Sequence, residues 1–178
     1  MCVKSIKWLL CWFFLTLPAY AAETAFFDDT FGDFKEELTH AKKQGKVAVF
    51  IFFEMDECPF CHRMKTTVMN QQRVMDYFKK NFLLFPVDIE GDIEMTDFQG
   101  KTMKMKEFAF NQHRVRATPM LAFFDLEGKL VAKYTGATAD ADEFMLLGEY
   151  VVSGAYKNSN FTSYKRDQRK IIGKASGG

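Results

Sequence analysis

Cys58 and Cys61 stand two residues apart in "MDECPFCHRM" (residues 55–64), directly behind the apolar run "VAVFIFFE". Two thiols at this spacing can form a redox couple, supply half of a metal site, or staple a short loop. Closing so short a loop constrains the unfolded chain little, which leaves a stabilising role with weak support.

Pro59 suits the first turn of a helix, because its missing N–H has no intrahelical partner there. That places Cys58 at the N-cap and Cys61 one turn inside, close enough to form a disulfide with it. Free backbone N–H groups and the positive end of the helix dipole at a cap both favour thiolate over thiol. Cys58 is therefore the expected nucleophile and Cys61 the thiol that resolves the mixed disulfide. Glu54, Asp56 and Glu57 precede Cys58, and each disfavours a nearby negative sulfur. The expectation is a Cys58 pKa depressed only moderately and a fairly reducing couple.

The first residues, "MCVKSIKWLLCWFFLTLPAYAAET", read as a leader rather than as fold. Lys4 and Lys7 come first, an apolar run from Trp8 to Leu17 follows, and small residues close the segment. This is the order of a cleaved secretory signal peptide, ending at Ala21 or Ala22. The apolar run covers about half of the ~20 residues needed to span a bilayer, so no stable membrane anchor is expected. Cys2 and Cys11 leave with the leader, and Cys58 and Cys61 remain as a single pair. Residues 22–178 suffice for one domain. Without Lys4 and Lys7 the whole-chain count of 24 basic and 23 acidic residues becomes 22 against 23, a net charge of −1. Nothing in that balance calls for nucleic acid.

The elements that position the pair follow from hydrophobic spacing. Phe31, Phe34, Leu38 and Ala41 recur at helical intervals from Thr30 to Lys43, and Gly45 stops that helix. "KVAVFIFF" is a strand buried on both faces, which implies a sheet covered by helices. Met64, Val68, Met75 and Phe78 mark a helix after Cys58, bent near Asn70. "FLLFPVDIE" is a second strand, placed at a sheet edge by Pro86, which cannot donate to a ladder. Residues 91–105 form a long polar connection of the kind that is usually functional or mobile. "KEFAFNQHRV" reads as a short helix, "PMLAFFDLEGKLVAKYTG" as a β-hairpin, and Asp140 to about Tyr156 as a closing helix. The remaining tail is polar and expected to fray. The result is an α/β fold with a four-stranded mixed sheet, order 2-1-3-4, and helices on both faces. Cys58 falls just beyond the carboxyl end of the central strand, where open α/β sheets place their chemistry.

With these residues in view the chain resembles the thioredoxin superfamily, and within it the SoxW-type thioredoxin-related proteins exported by bacteria. Three landmarks carry the likeness: Cys58-Pro59-Phe60-Cys61 behind a buried strand, "VRATP" at 115–119, and "LEGKLVAKYTG" before the last helix. "FPVDIEGD", "DFQGKTMKMKEFAF" and "GEYVVSGAY" match the SoxW-type pattern locally. The resemblance implies a thioredoxin fold with a cis Thr118–Pro119 bond facing the cysteines. Thr118 and Pro119 would then form the edge that binds an extended substrate strand, while Phe60 tunes the pair. It also implies a periplasmic thiol–disulfide oxidoreductase without an organic cofactor, acting on protein disulfides and recharged by a membrane thiol donor of the DsbD type. SoxW-type relatives are linked to sulfur-oxidation systems. Two positions depart from the thioredoxin pattern. Glu57 stands where many thioredoxins have Trp, and Phe52 where they have a buried Asp that helps move the proton of the second cysteine. Glu54 is the candidate replacement, although strand alternation leaves its direction open.

Other readings compete. Cys-Pro-Phe-Cys also resembles the glutaredoxin pair, which would imply glutathione; the 91–105 connection and the exported context argue against it. A soft-metal module for copper could use Cys58, Cys61 and His62 or His113, with thioethers from Met95, Met103 and Met105. Structural zinc sites commonly use two paired-ligand segments, and here there is one. His40, His62 and His113 read as solvated helix residues, and the methionines as core under the loop. A redox-dead interaction domain is the third reading, disfavoured because both cysteines are present.

Overall fold

The computed structural model describes residues 26–175; the leader, with Cys2, Cys11 and the expected cleavage point, lies outside the described residues. Helix α1 (Phe34–Lys43) begins at Asp33, whose carboxylate accepts the Glu36 N–H at 2.9 Å. The spacing had suggested a start at Thr30 with Phe31 on the buried stripe. Instead Gly32 turns the chain at φ +84° and Phe31 is fully exposed, because the Asp33 cap fixes where the helix can start.

Strand β1 (Ala48–Glu54) is buried on both faces until Glu54. The chain then enters α2 (Pro59–Arg63), passes without interruption into a π-helical turn at Met64–Met69, breaks at Asn70, and resumes as α3 (Gln72–Asn81). The bend is where it was expected; the wider π turn was not, since apolar spacing does not report hydrogen-bond register. Strand β2 (Phe82–Asp88) runs parallel to β1, pairing Pro86 with Phe52. Strands β5 (Met120–Phe124) and β6 (Leu130–Thr135) form the hairpin, with β5 antiparallel to β1. The sheet order β2-β1-β5-β6 is the expected 2-1-3-4 with strands renumbered, and β2 with its proline is an edge strand.

The renumbering arises because residues 91–105 hold structure of their own. Strands β3 (Glu94–Thr96) and β4 (Thr102–Lys104) form a small second sheet with Met95 opposite Met103, both buried. Asp97 fixes the turn between them: its buried carboxylate accepts the N–H groups of Gln99 and Lys101 at 2.9 and 2.8 Å and the Gln112 amide at 2.6 Å. Burial pushes the Asp97 carboxyl up, but these hydrogen bonds outweigh it and hold it below the usual range. Helix α4 (Met105–Glu107) runs into a second π turn at Phe108–Gln112.

Two apolar layers sandwich the sheet. Phe50, Phe52, Phe78, Phe82, Phe123 and Phe144 pack on one side, where Phe78 and Phe144 stack at 4.2 Å. Phe34, Phe53, Phe85, Phe98, Phe108 and Phe124 fill the other. Each buried ring contributes about 1.5–3 kcal/mol, so the frame beneath the cysteines is rigid. Helix α5 (Ala141–Val152) closes the first layer, capped by Asp140. The expected frayed tail is instead helix α6 (Phe161–Ala175). Phe161 and Tyr164 pack against Tyr150, and Lys165 meets the Glu143 carboxylate at 2.5 Å. Among the described residues no helix is long and apolar enough to cross a membrane.

Candidate active site

Cys58 is the N-cap of α2 and Pro59 occupies its first turn, as expected from the sequence. Cys58 and Cys61 form a disulfide, S–S 2.06 Å with their Cα atoms 5.2 Å apart. The Cys61 N–H donates to Cys58 Sγ at 3.1 Å. Both cysteines are buried, Cys58 at 6% exposure and Cys61 at 2%, and Cys58 is the more accessible of the two. The helix is pinned from behind. Arg63 Nη2 donates to the Thr138 carbonyl at 2.8 Å, and the buried Thr138 hydroxyl donates to the Asp140 carbonyl and approaches Met64 Sδ at 3.4 Å. That anchorage holds the N-terminus of α2, and with it the sulfur, at a fixed point.

A pocket of about 170 Å³ opens beside the pair, lined by Glu54, Met55, Asp56, both cysteines, His62, Lys65 and Asp88. Residues 52 and 54 share one face of β1, since a strand alternates with period two. Phe52 is buried in the layer beneath the cysteines and Glu54 reaches the pocket, which answers the question of its direction. Its carboxylate meets Lys65 Nζ at 2.5 Å, and that ammonium lies 5.8 and 6.0 Å from the ring centres of Phe27 and Phe52. Sequence reasoning missed Lys65. The available signal was its position one helical turn after Cys61, on the side that the pair occupies.

The Thr118–Pro119 bond is cis. Pro119 directly precedes Met120, which pairs with Phe53 at the carboxyl end of β1, so this segment lies at the same sheet end as the cysteines. The Pro119 carbonyl accepts the Gly136 N–H at 2.8 Å. The Thr118 backbone has no hydrogen-bond partner among the described residues and is available to another strand. Phe60 projects from the pair at 61% exposure.

Of the metal-site candidates, His62 lines the pocket beside the two cysteines, and the others lie elsewhere. Met95 and Met103 are buried in the opposite layer from the cysteines, and Met105 packs against that layer. His62 is exposed, as expected, and His40 is partly exposed. His113, expected to be solvated, instead sits against Phe53, Phe108 and Phe124 with Nε2 buried and unpartnered. It follows the π turn, which swings it onto the core. Among the described residues no three His, Cys, Asp or Glu side chains are placed together to hold a metal ion.

Residues 34–152 match the family described as thioredoxin-like domain. The chain belongs to the thioredoxin-like domain family. With an intact Cys58–Cys61 disulfide in that fold, this thioredoxin-like protein is a thiol–disulfide oxidoreductase. Solved structures share its architecture. A thioredoxin-fold protein from Helicobacter pylori is 20% identical with a TM-score of 0.63, and the match covers 85% of this chain and 97% of that one. A thioredoxin from Thermus thermophilus is 22% identical with a TM-score of 0.53, covering 71% and 90%. A DsbH oxidoreductase is 20% identical with a TM-score of 0.51, covering 75% and 92%. Comparison with curated proteins returned no match.

Proposed function

We propose that this thioredoxin-like protein is an exported, SoxW-type reductase of protein disulfides in the periplasm, drawing electrons from a membrane thiol donor of the DsbD type. The observation that supports it most is the Cys58 sulfur at the cap of α2, hydrogen-bonded by the Cys61 N–H, at the same sheet end as the cis Thr118–Pro119 bond. In the reduced protein the same N–H stabilises a Cys58 thiolate. That thiolate attacks one sulfur of a client disulfide held in extended form along Thr118. The other client sulfur leaves as a thiolate and takes a proton from solvent. Cys61 then gives up its proton and attacks Cys58 Sγ, which expels the second client thiol and leaves the Cys58–Cys61 disulfide. Two electrons and two protons from the donor restore the dithiol.

Glu54 is the base for the Cys61 proton in this scheme. Its carboxylate shares the pocket with both sulfurs, and no buried acid stands at position 52. Phe60, exposed beside Cys58, makes apolar contact with the client.

Insulin reduction by the purified mature protein tests the activity. Turnover with dithiothreitol as donor that disappears in Cys58→Ser is the expected result; no turnover in the wild-type chain defeats the proposal. Export is tested separately by N-terminal sequencing of protein recovered from a periplasmic fraction, which should begin at Ala22 or Glu23.

A further inference from the structure

The loop leading into Thr118 carries a cation that the exchange chemistry does not use. Arg116 is exposed, and its guanidinium lies 5.2 Å from the ring centre of Phe110, an aromatic side chain left 46% exposed at the surface. Arg116 forms no ion pair among the described residues. Its backbone is not loose either. The Val115 N–H donates to the Ala109 carbonyl at 3.0 Å and the Arg114 N–H to the Phe110 carbonyl at 3.2 Å. The two hydrogen bonds tie the loop to the turn that presents the ring. The cation–π contact restrains the guanidinium beside an exposed ring, and none of its N–H donors is taken by an ion pair among the described residues, so they can serve a planar carboxylate.

The charge around the pair has two sides. Asp56 and Glu57 are exposed beside Cys58 and Asp88 lines the pocket, where Glu54 is balanced by Lys65 at 2.5 Å. A client carboxylate meets repulsion there and attraction at Arg116. We propose that Arg116, held on Phe110, binds a carboxylate side chain within two residues of the client's exchanging cysteine, so that the favoured clients are extended acidic segments. This rests on the reductase reading above and names its substrate class.

The test uses short peptides, each joined through its one cysteine to the same small thiol and differing only in Asp, Asn or Lys at one or two residues either side. The reduced protein gives up two electrons and two protons to the peptide's mixed disulfide, giving free peptide thiol, free small thiol and the Cys58–Cys61 disulfide. Wild-type protein should reduce the best-placed Asp peptide about fivefold faster in kcat/KM than its Asn counterpart, the scale of one exposed charge pair. The preference should shrink at about 0.5 M salt, fall to about one in Arg116→Gln, and be partly retained in Arg116→Lys. Equal rates for Asp and Asn peptides, a preference for Lys, or a preference unchanged in Arg116→Gln overturns the inference while insulin reduction continues. Loss of insulin reduction in the wild-type chain removes the reductase reading itself, and this inference with it.

Discussion

The Glu54 carboxylate and the Lys65 ammonium lie 2.5 Å apart in the pocket that both cysteines line. Glu54 stays mostly covered, at 17% side-chain exposure, while Lys65 is 41% exposed. Positioned general bases contribute about 10²–10⁴-fold to proton transfer. Glu54→Gln should therefore slow resolution of a Cys58 mixed disulfide by at least about tenfold at neutral pH. The deficit should narrow as pH rises and hydroxide takes over. Lys65→Met leaves the carboxylate in place and should slow the same step only about two- to fivefold, as for a partly screened ion pair. Stopped-flow measurement of client release against pH checks both. A Glu54→Gln profile superimposable on wild type would show that the carboxylate has no part in the proton transfer.

Cys61→Ser keeps the helix cap, Pro59 and the Cys58 sulfur but removes the resolving thiol. It should accumulate covalent adducts through Cys58 when incubated with oxidised client protein, whereas Cys58→Ser should accumulate none, since Cys61 is 2% exposed. Non-reducing electrophoresis followed by mass spectrometry reads the difference and identifies the clients. Equal trapping through Cys61 would reverse the assigned roles.

The reactive centre was legible because its determinants are local. A proline after Cys58 sets the cap, three-residue spacing sets the pair, and a seven-residue apolar run sets the strand behind them. Pro86 announced an edge strand by chemistry that needs no tertiary context. What stayed hidden depends on distant partners. Helix α6 reads as polar because it is rich in Lys and Arg; Phe161 and Tyr164 gain meaning only against Tyr150, whose hydroxyl donates to the Ser159 carbonyl at 2.5 Å. Met95 and Met103 read as core beneath the loop and are buried, but their placement opposite each other across the Asp97 turn does not show in their spacing. Lys65 reads as one more surface cation until β1 brings Glu54 to it.

Gly128 closes the hairpin between β5 and β6 at φ +76°, and a Cβ there would stand 2.5 Å from Phe98 Cβ. Phe98 is the ring that joins the 91–105 connection to Phe34 and Phe124. Gly128→Ala therefore combines left-handed strain with overpacking and should cost about 2–4 kcal/mol. The urea midpoint should fall with an unchanged m-value. A shift below about 0.5 kcal/mol, the scale of ordinary surface changes, would mean that the turn relaxes freely.

His113 makes stability pH-dependent in a direction its surroundings dictate. Burial among three phenylalanines lowers its pKa from 6.5 to about 4; the nearby Asp97 charge opposes the shift and Lys133 adds to it. A histidine whose folded pKa is depressed binds fewer protons in the native state than in the unfolded one. Its contribution is therefore full above pH 6.5 and is lost as pH falls toward 4. Because the ring is only partly enclosed, the difference across that window should be about 2 kcal/mol after allowance for solvent. His113→Phe keeps a flat ring in the aromatic box and removes the titration. Its stability should fall by about 2 kcal/mol less than that of wild type between pH 6.5 and 4, with the carboxylates common to both chains cancelling in the comparison. Urea melts at half-unit pH intervals measure this directly, and parallel curves for the two chains would show that the imidazole is protonated without opening its box.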